Sequence, residues 1–469
     1  MDGKDAQAHS ITAEIADFVT GTAYDDIPAD VIARGKIHIL DALGLALSGV
    51  KAPASEIARR HVAAQHCTGA ASVLGTAIRT APRFAAFANG TAMHADNFDD
   101  TNPQPVAHRN GGIHATGAVL PAVLAVAEAE GRSGRDVALA FHLGVEVACK
   151  LNHAIAARHY ENGFHSTATL GVFGAAAAVG RLMGLDKAAI GHAFAAAASR
   201  AAGVRANFGS MVEQLHSGQA AEAGIAAAEL AGCGLEGAGG IFEARFGWFE
   251  AAGGGWEPDA IAGRLGNPWA FADPGTWIKP YPNGALTHTG MGLMFDLVRR
   301  HDIAADDIAA IAVRTNKRNR TTLAHDRPES ALQAKFSMPF ALALVALEGR
   351  AGLHEFTDAT LARADVQAMI GRVDFTAFDE AGPDCAPDYT NVTTCLEIVL
   401  KDGTRHDGRA DYPPGSPRAP MSFDDVAEKT LGCAAFGGWP EDGMRAAIDL
   451  VARLEEVAHI GELTGLLSE

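Results

Sequence analysis

Long runs of small apolar residues are the feature that most limits how this chain can fold. In the first 270 residues, alanine and glycine fill most positions of successive helical stretches, and only a narrow polar stripe interrupts each one. Helices with this pattern pack on several sides, and their small side chains let the helix axes approach closely. The stretches that show it most clearly are 30–47, 115–130, 135–157, 167–183 and 219–231. The sequence therefore predicts a large, tightly packed helical domain.

The pattern changes after the glycine-rich loop at 251–255. Residues 308–313 and 394–400 are rich in β-branched side chains, which favour strands. Asp402-Gly403 is a hairpin turn signal, and it leads into a third strand-like run at 404–410. This part of the chain therefore contains a small sheet.

Helical patterns accompany and follow this sheet. Helices are predicted at 286–300 and 331–347, and the chain is helical again from Ser422, with its last helix at 444–458. We therefore predict a mainly α fold in which a large all-α helical domain receives an inserted, smaller α+β lid domain. The predicted boundaries are 1–272 and 413–469 for the helical domain and 273–412 for the insert.

The charge balance limits the partners of the protein. Its 469 residues include 38 Lys+Arg and 56 Asp+Glu, a formal net charge of −18. A chain this acidic repels nucleic acids and anionic membranes, so we expect neither as a partner. Residues 276–350 differ, because they contain ten basic and seven acidic side chains. A small anionic molecule is therefore the partner that the charges favour.

Membrane and export signals are also missing from the sequence. No stretch reaches the roughly 18 uncharged apolar residues that a membrane span needs. A signal peptide has a basic start followed by an apolar run. Residues 1–10 are polar and do not show this pattern. We therefore expect a cytoplasmic protein.

The first cluster of polar and ionisable residues that could take part in catalysis runs from His94 to Thr101. It is followed by His114, just before a helix. Carboxylates beside two histidines could hold a divalent metal or transfer protons. The HxH and HExxH spacings typical of metal-binding histidines are absent, so we predict no metal site. A structural role for Asp99 and Asp100, as helix caps or arginine partners, remains an alternative.

Two further clusters also precede helices. Tyr160 and His165 lie in one, and the positive end of a helix dipole lowers the pKa of such a histidine, which favours the neutral form that a base requires. His216 lies in the other, among small residues that leave room for a ligand. Further on, Lys279 stands in a loop fixed by prolines and could bind a substrate carboxylate. Each of these residues could instead serve the fold or the surface alone.

Taken in order, eight short motifs resemble the MmgE/PrpD family over nearly the whole chain. No single motif is specific, whereas the ordered set is. The motifs are Asp41-Ala42-Leu43-Gly44, Asn89-Gly90, His94 to Thr101, His114 with Leu120-Pro121-Ala122, Gly163-Phe164-His165 with Thr169-Leu170-Gly171, Leu215-His216-Ser217-Gly218, Lys279-Pro280-Tyr281-Pro282 and Ala334-Lys335-Phe336-Ser337.

The resemblance implies a helical domain with a smaller α+β lid, a homodimer, and chemistry without a cofactor at the carbon next to a carboxylate. It also implies which residues build the site. The catalytic candidates are His165, His114, Lys279 and Tyr160. The substrate-binding candidates are His94, Asn97, Asp100, Thr101, Arg205, Glu213, His216 and Lys335.

Three positions depart from the family pattern. Asn97 stands where the family usually has Asp, Glu213 where it usually has Lys, and Phe340 where it often has Tyr. The change at Glu213 matters most, because it replaces a cation by an anion where a substrate carboxylate would lie. We expect it to disfavour tricarboxylates such as 2-methylcitrate or cis-aconitate unless Arg205 compensates.

Four functions are compatible with these residues. The first hypothesis is a dehydratase, in which His165 acts as base or acid, His114 takes the opposite role, and Lys279 binds or neutralises the carboxylate. The second is an epimerase of a small dicarboxylate, with Tyr160 and either His165 or Lys279 on opposite faces of one carbon. The third is a decarboxylase, which needs one proton donor after CO₂ leaves. A catalytically silent, ligand-binding member of the fold is the fourth.

Overall fold

The computed structural model describes residues 10–103, 111–378 and 392–469. The chain divides into two compact units. The first comprises the described residues up to Ala95, together with Asp99–Thr276 and Ser422–Glu469. The second comprises Asp96–Phe98 and the described part of Trp277–Met421. The prediction of a mainly α fold is confirmed, whereas the role of the insert as a lid stays a prediction.

The first unit is helical apart from one short hairpin, β1 (Ala71–Ser72) and β2 (Arg79–Thr80), which pair antiparallel. Most predicted helices are present, and α10 begins eight residues earlier than predicted, directly after Ser210. The helices are α1 Ile11–Gly21, α2 Ala29–Gly49, α3 Pro53–Ala63, α4 Pro82–Ala95, α5 Ala115–Glu130, α6 Gly134–Ala154, α7 Arg158–Glu161, α8 Ser166–Leu182, α9 Lys187–Ala198, α10 Met211–Gly232 and α11 Trp248–Gly253.

The second unit holds a four-stranded sheet with the strand order β4-β3-β5-β6. β3 (Ile308–Thr315) pairs antiparallel with β5 (Thr394–Leu400), which pairs antiparallel with β6 (Arg405–Ala410). β4 (Val373–Ala377) was not predicted, and it lies parallel to β3. The helices of this unit are α12 His288–His301, α13 Lys317–Thr322, α14 Ala331–Ala334, α15 Met338–Glu348, α16 Asp358–Leu361 and α17 Ala364–Ile370.

The prediction of a single helix at 331–347 is wrong, because the helix is interrupted between α14 and α15. The Ser337 hydroxyl accepts a hydrogen bond from the Phe340 amide and so caps a new helix. Pro339 cannot donate to the carbonyl of Lys335, which accepts the Gly284 amide instead. α15 is then buried along most of its length, in the core of the second unit.

The C-terminal segment returns to the first unit from Ser422. It forms α18 (Phe423–Gly437), α19 (Glu441–Ala452) and α20 (Gly461–Leu466), so the last predicted helix, 444–458, is displaced toward the N-terminus. α18 packs against α2. Among the described residues no single helix is long and apolar enough to cross a membrane, and only α2 and α3 together, bent by 85°, would meet that test by length and composition.

Glycines set the distance between central helices of the first unit. α8 packs against α6 at Gly144 and Gly174, where a Cβ on Gly174 would lie 2.6 Å from the Gly144 carbonyl oxygen. Such a contact is too short to keep, so the two backbones are as close as glycine allows. Because α8 begins directly after His165, this spacing also determines where that histidine lies.

We expect the change Gly174→Ala to lower the free energy of unfolding by about 1–3 kcal/mol, because the added methyl group must push α6 and α8 apart. Gly191→Ala in α9 is the control, since nothing lies within 4 Å of a Cβ there. That control should be neutral or slightly stabilising. Urea unfolding of both variants measures the difference, and equal stabilities would contradict the assigned packing.

Candidate active site

Four histidine rings gather in the first unit. His94 lies in the last turn of α4, His114 and His165 directly precede α5 and α8, and His216 lies in the second turn of α10. The ring centroids of His94 and His114 are 5.2 Å apart, those of His114 and His165 6.2 Å, and those of His165 and His216 5.1 Å. Each of the three clusters singled out in the sequence therefore contributes to one site.

The helix ends around this cluster favour an anion. The N-termini of α5 and α8 begin at the residues that follow His114 and His165. The first amides of a helix have no partner within it, and they carry the positive end of the helix dipole. Neither His114 nor His165 caps its helix through its side chain. A negatively charged ligand is thus favoured beside these rings.

His94 is held between two carboxylates. Its Nδ1 lies 2.7 Å from Asp99 Oδ2, and its Nε2 lies 3.4 Å from Glu213 Oε1. Burial alone would lower the pKa of His94, but the charges and hydrogen bonds of Asp99 and Glu213 outweigh that effect and raise the pKa to about 10. His94 is therefore an imidazolium at neutral pH, and it partly neutralises Glu213.

His165 and His216 form a neutral pair. Their Nδ1 atoms are 2.8 Å apart, so one ring must donate the hydrogen and the other must accept it. Burial and the positive charge of neighbouring histidines hold the pKa of His165 well below its usual value. The same causes lower the pKa of His216 to about 4. Both rings are thus uncharged at neutral pH, as proton transfer by an imidazole base requires.

His114 is held by the backbone of the loop that carries Asp99 and Asp100, which we call the acidic loop. Its Nδ1 lies 2.5 Å from the Asp100 carbonyl oxygen, which can only accept, so Nδ1 carries a hydrogen. In the neutral ring Nε2 is then the basic nitrogen. The His114 side chain is 16% exposed, whereas the other three histidines of the cluster are buried. His114 is the ring that solvent reaches most easily.

Asp100, Thr101 and Glu213 also lie at this cluster. The Asp100 carboxylate accepts a hydrogen bond from Thr116 at 2.7 Å, and the Thr101 hydroxyl lies 3.2 Å from His114 Nδ1. Glu213 contacts His94, as described above. All three side chains are buried, and a role in substrate binding stays a prediction for each of them.

Arg205 contacts Tyr160 and makes no described contact with Glu213, so compensation of Glu213 by Arg205 stays a prediction. Its guanidinium lies 3.7 Å from the centre of the Tyr160 ring, and it donates to the Tyr160 carbonyl oxygen at 2.9 Å. The Tyr160 ring in turn packs on Gly111, where a Cβ would be 2.1 Å from it. The charge that faces Glu213 is therefore that of His94.

Lys279 and Lys335 lie in the second unit with Asn97. The buried Lys279 ammonium donates to the Asn97 carbonyl oxygen at 3.0 Å and to its side-chain oxygen at 2.8 Å. Lys335 donates to the Asp96 carbonyl oxygen. Asn97 adopts a φ of +55°, which asparagine tolerates better than most residues. Both lysines hold the 96–98 segment, and a role in binding a carboxylate stays a prediction for each.

Several important neighbours of the site were not among the predicted residues. Asp99 belongs to the first cluster but is not among the predicted site residues, although it holds His94. His159 precedes Tyr160 in the sequence and is not among the predicted site residues, although its Nε2 lies 3.0 Å from the Thr169 hydroxyl. Asp41 lies in one of the eight motifs, and the sequence predicts no role for it. The motifs were the available signal, but they carry no information on which residues meet.

The arrangement combines an attraction for anions with groups that transfer protons. The His94 imidazolium and the helix N-termini favour a carboxylate, and His114, His165 and His216 can exchange protons. In the described part of the chain, no group of three or more histidine, cysteine or carboxylate side chains is placed to hold a metal ion. The site is thus suited to acid–base chemistry on a small organic acid.

Both halves of the chain match models of one protein family. The MmgE/PrpD N-terminal domain matches residues 13–260, and the MmgE/PrpD C-terminal domain matches residues 281–456. The chain belongs to the MmgE/PrpD family. The resemblance inferred from the eight motifs is therefore confirmed.

The chain is also similar to proteins named cis-aconitate decarboxylase. The chain is 31% identical to the human cis-aconitate decarboxylase, over 98% of its own length and 94% of that protein. It is 28% identical to the enzymes of the same name from mouse, over 98% and 93%, and from Aspergillus terreus, over 99% and 97%. The similarity thus extends over the whole of this MmgE/PrpD protein, including both units.

The raised pKa of His94 gives this protein a pH-dependent stability. A histidine whose pKa is about 10 when folded and about 6.5 when unfolded stabilises the fold fully below pH 6.5, and loses that contribution as the pH rises to 10. Glu213→Gln removes one of the two carboxylates that raise the pKa. The difference in thermal midpoint between wild type and this variant should therefore change between pH 6.5 and pH 10, in favour of the variant at high pH.

Glu222→Gln is the matched control for this prediction. Glu222 lies on the same helix, and its partner is Arg83 at the surface. The difference in thermal midpoint between Glu222→Gln and wild type should not vary over this pH range. A Glu213→Gln difference that stays equally constant would contradict the charged state of His94.

Proposed function

We propose that this MmgE/PrpD protein is a lyase that removes CO₂ from a small unsaturated polycarboxylate, with cis-aconitate as the first candidate. The observation that carries the proposal is the hydrogen-bonded His165–His216 pair beside His114 at two helix N-termini, because decarboxylation requires an anion site and groups that can transfer a proton. The full-length similarity to cis-aconitate decarboxylases supports the choice of reaction. Dehydration, the first hypothesis from the sequence, stays a prediction.

The chemistry requires one proton from the enzyme. The bond between the departing carboxylate and its carbon breaks, and its electron pair forms a new C=C bond. The electrons of the original double bond move to the carbon beside a remaining carboxylate, which takes up a proton. From cis-aconitate the products are CO₂ and methylenesuccinate. The negative charge that develops next to the carboxylate is the charge that nearby N–H groups and cations stabilise.

The residues of the first unit can divide these tasks. His94, as a buried imidazolium, supplies positive charge. It keeps its proton at neutral pH because Asp99 and Glu213 raise its pKa to about 10. His114 and His165 are the candidates for the proton transfer, and each can give a proton to the carbon after its basic nitrogen has taken one up. His216 shares a hydrogen with His165 and so determines which nitrogen of His165 carries a proton toward the ligand.

Product analysis tests the proposal. The purified protein is incubated in D₂O with cis-aconitate and followed by proton NMR. We expect CO₂ release and vinyl signals of methylenesuccinate with one deuterium incorporated at the protonated carbon. His165→Ala should lower kcat by about 10²- to 10⁴-fold, because a proton-transfer group is lost.

The control is His301→Ala, an exposed histidine at the end of α12, which should leave turnover unchanged. If His165→Ala left turnover unaffected while the wild type was active, the assignment of the site would be wrong. If the wild type bound carboxylates without turning over any, the protein would be a ligand-binding member of the fold.

Epimerisation of a small dicarboxylate is the second candidate, and Glu213 favours it. The third carboxylate of a tricarboxylate would lack the lysine partner that this family usually places at position 213, whereas a dicarboxylate would not need that partner. His114 and His165, with centroids 6.2 Å apart, could then serve two faces of one carbon. The same NMR experiment with dicarboxylates distinguishes the reactions, since deuterium at the α-carbon without net change indicates epimerisation and loss of a hydroxyl indicates dehydration.

Glu213→Lys tests how this residue influences the substrate. The change replaces an anion by a cation, so KM for a tricarboxylate or dicarboxylate should fall by about tenfold or more at low ionic strength. Glu222→Lys makes the same change of charge on the same helix beside Arg83, and it should leave KM unaltered. An unchanged KM in Glu213→Lys at low salt would show that position 213 does not act on the substrate.

A further inference from the structure

Behind the acidic loop of the site, four ionisable side chains form a buried line that the proposed reaction does not use. Lys429 on α18 lies 2.6 Å from Asp41 on α2. One turn earlier on α2, His38 Nδ1 lies 3.4 Å from Asp100 Oδ2. Asp41, His38 and Asp100 are each at most 4% exposed. Residues spaced i and i+3 share one face of a helix, so α2 connects the two pairs.

Asp100 joins this line to the histidine cluster. Its carbonyl oxygen accepts the hydrogen of His114 Nδ1, and its carboxylate accepts the hydroxyl hydrogen of Thr116 in the first turn of α5. The position of Asp100 therefore fixes the orientation of the His114 ring and the nitrogen that carries its hydrogen. A displacement of Asp100 would therefore weaken this hydrogen bond and change the orientation of the His114 ring.

The His38 ring is itself held in place. It packs on Phe271 with ring centroids 4.9 Å apart. The loop that carries Phe271 is fixed by Glu146, whose carboxylate accepts the amides of Gly266 at 2.9 Å and Ala270 at 2.6 Å. His38 therefore has little freedom to move away from Asp100.

The charges along the line depend on one another. Burial raises the pKa of Asp41, and the Lys429 ammonium opposes that rise. A buried carboxylate is costly without such a partner. Removing Lys429 alone would leave Asp41 without that cation and place two carboxylates, Asp41 and Asp100, around His38.

We propose that Lys429, Asp41 and His38 are positioning residues that fix Asp100, and through it His114, so that helix α18 supports catalysis without touching the substrate. The part that concerns turnover rests on the proposed function. The part that concerns His114 does not, because the hydrogen on its ring can be observed without a substrate.

The test compares single and double variants. We expect His38→Ala and Lys429→Met to lower kcat by about 10- to 100-fold with KM within about twofold, because a small displacement of a catalytic group has a large effect on rate. Lys429→Arg should restore most of kcat. Lys36→Met is the control, since Lys36 on α2 also pairs with the C-terminal segment, at Glu455, but lies outside the line; its kcat should be unchanged.

The double variant Asp41→Asn/Lys429→Met separates positioning from stability. It leaves no unpaired buried charge, so its thermal midpoint should recover relative to Lys429→Met while its kcat stays low. Recovery of kcat together with the thermal midpoint would overturn the proposal, since Lys429 would then serve stability alone.

Nitrogen-15 NMR of histidine-labelled protein without substrate is the second readout. The wild type should show His114 with its hydrogen on Nδ1, and His38→Ala and Lys429→Met should show a mixture of the two tautomers. A wild type that turns over no carboxylate but shows this change would refute the proposed function and support the positioning line. An unchanged His114 signal in both variants would overturn the line itself.

Discussion

The contact of His94 with Asp99 and Glu213 is the interaction on which the rest of the site depends. A buried charge is tolerated only with partners, and here one imidazolium satisfies two carboxylates from different parts of the chain. It thereby joins the end of α4, the acidic loop and the first turn of α10. Its positive charge also helps to keep His165 and His216 neutral. One ion cluster thus sets the charge states of the surrounding rings.

The packing of small residues makes this cluster possible. Close contact between α6 and α8 at Gly144 and Gly174 places the N-terminus of α8, and with it His165, deep in the first unit. α4 and α10 approach equally closely at Gly90 and Gly218, where a Cβ on Gly90 would be 2.8 Å from the Gly218 Cα. The abundance of glycine and alanine therefore serves function as well as stability, because larger side chains would separate the rings.

The main features of the fold follow from the sequence, because each depends on a local pattern. Helix α5 has the bounds that its apolar pattern predicts, and β5 has those of its β-branched run. β4 escaped prediction because it is short, buries mainly Phe375, and is stabilised by pairing with β3, which is distant in sequence. The start of α10 was predicted too late because its first turn reverses the usual pattern: the apolar Met211 and Val212 are exposed, and the polar Glu213 and Gln214 are buried.

The candidate site could be predicted only as a set of residues. His94, His114, His165 and His216 were expected near one another because the family motifs imply it, but their pairings depend on tertiary distances. That Glu213 faces His94, and that Arg205 lies on Tyr160, could not be read from spacing along the chain. The line from Lys429 to Asp100 joins residues that are hundreds of positions apart and carries no local signal.

The ionisation of His94 is the measurement that tests this account most directly. Nitrogen-15 NMR of histidine-labelled protein at pH 8, with His94→Gln to assign the signal, distinguishes an imidazolium from a neutral ring. The account predicts that both nitrogens of His94 carry hydrogens at pH 8, while His165 and His216 are neutral. A neutral His94 at that pH would contradict it, because Glu213 would then face the site as an unbalanced anion.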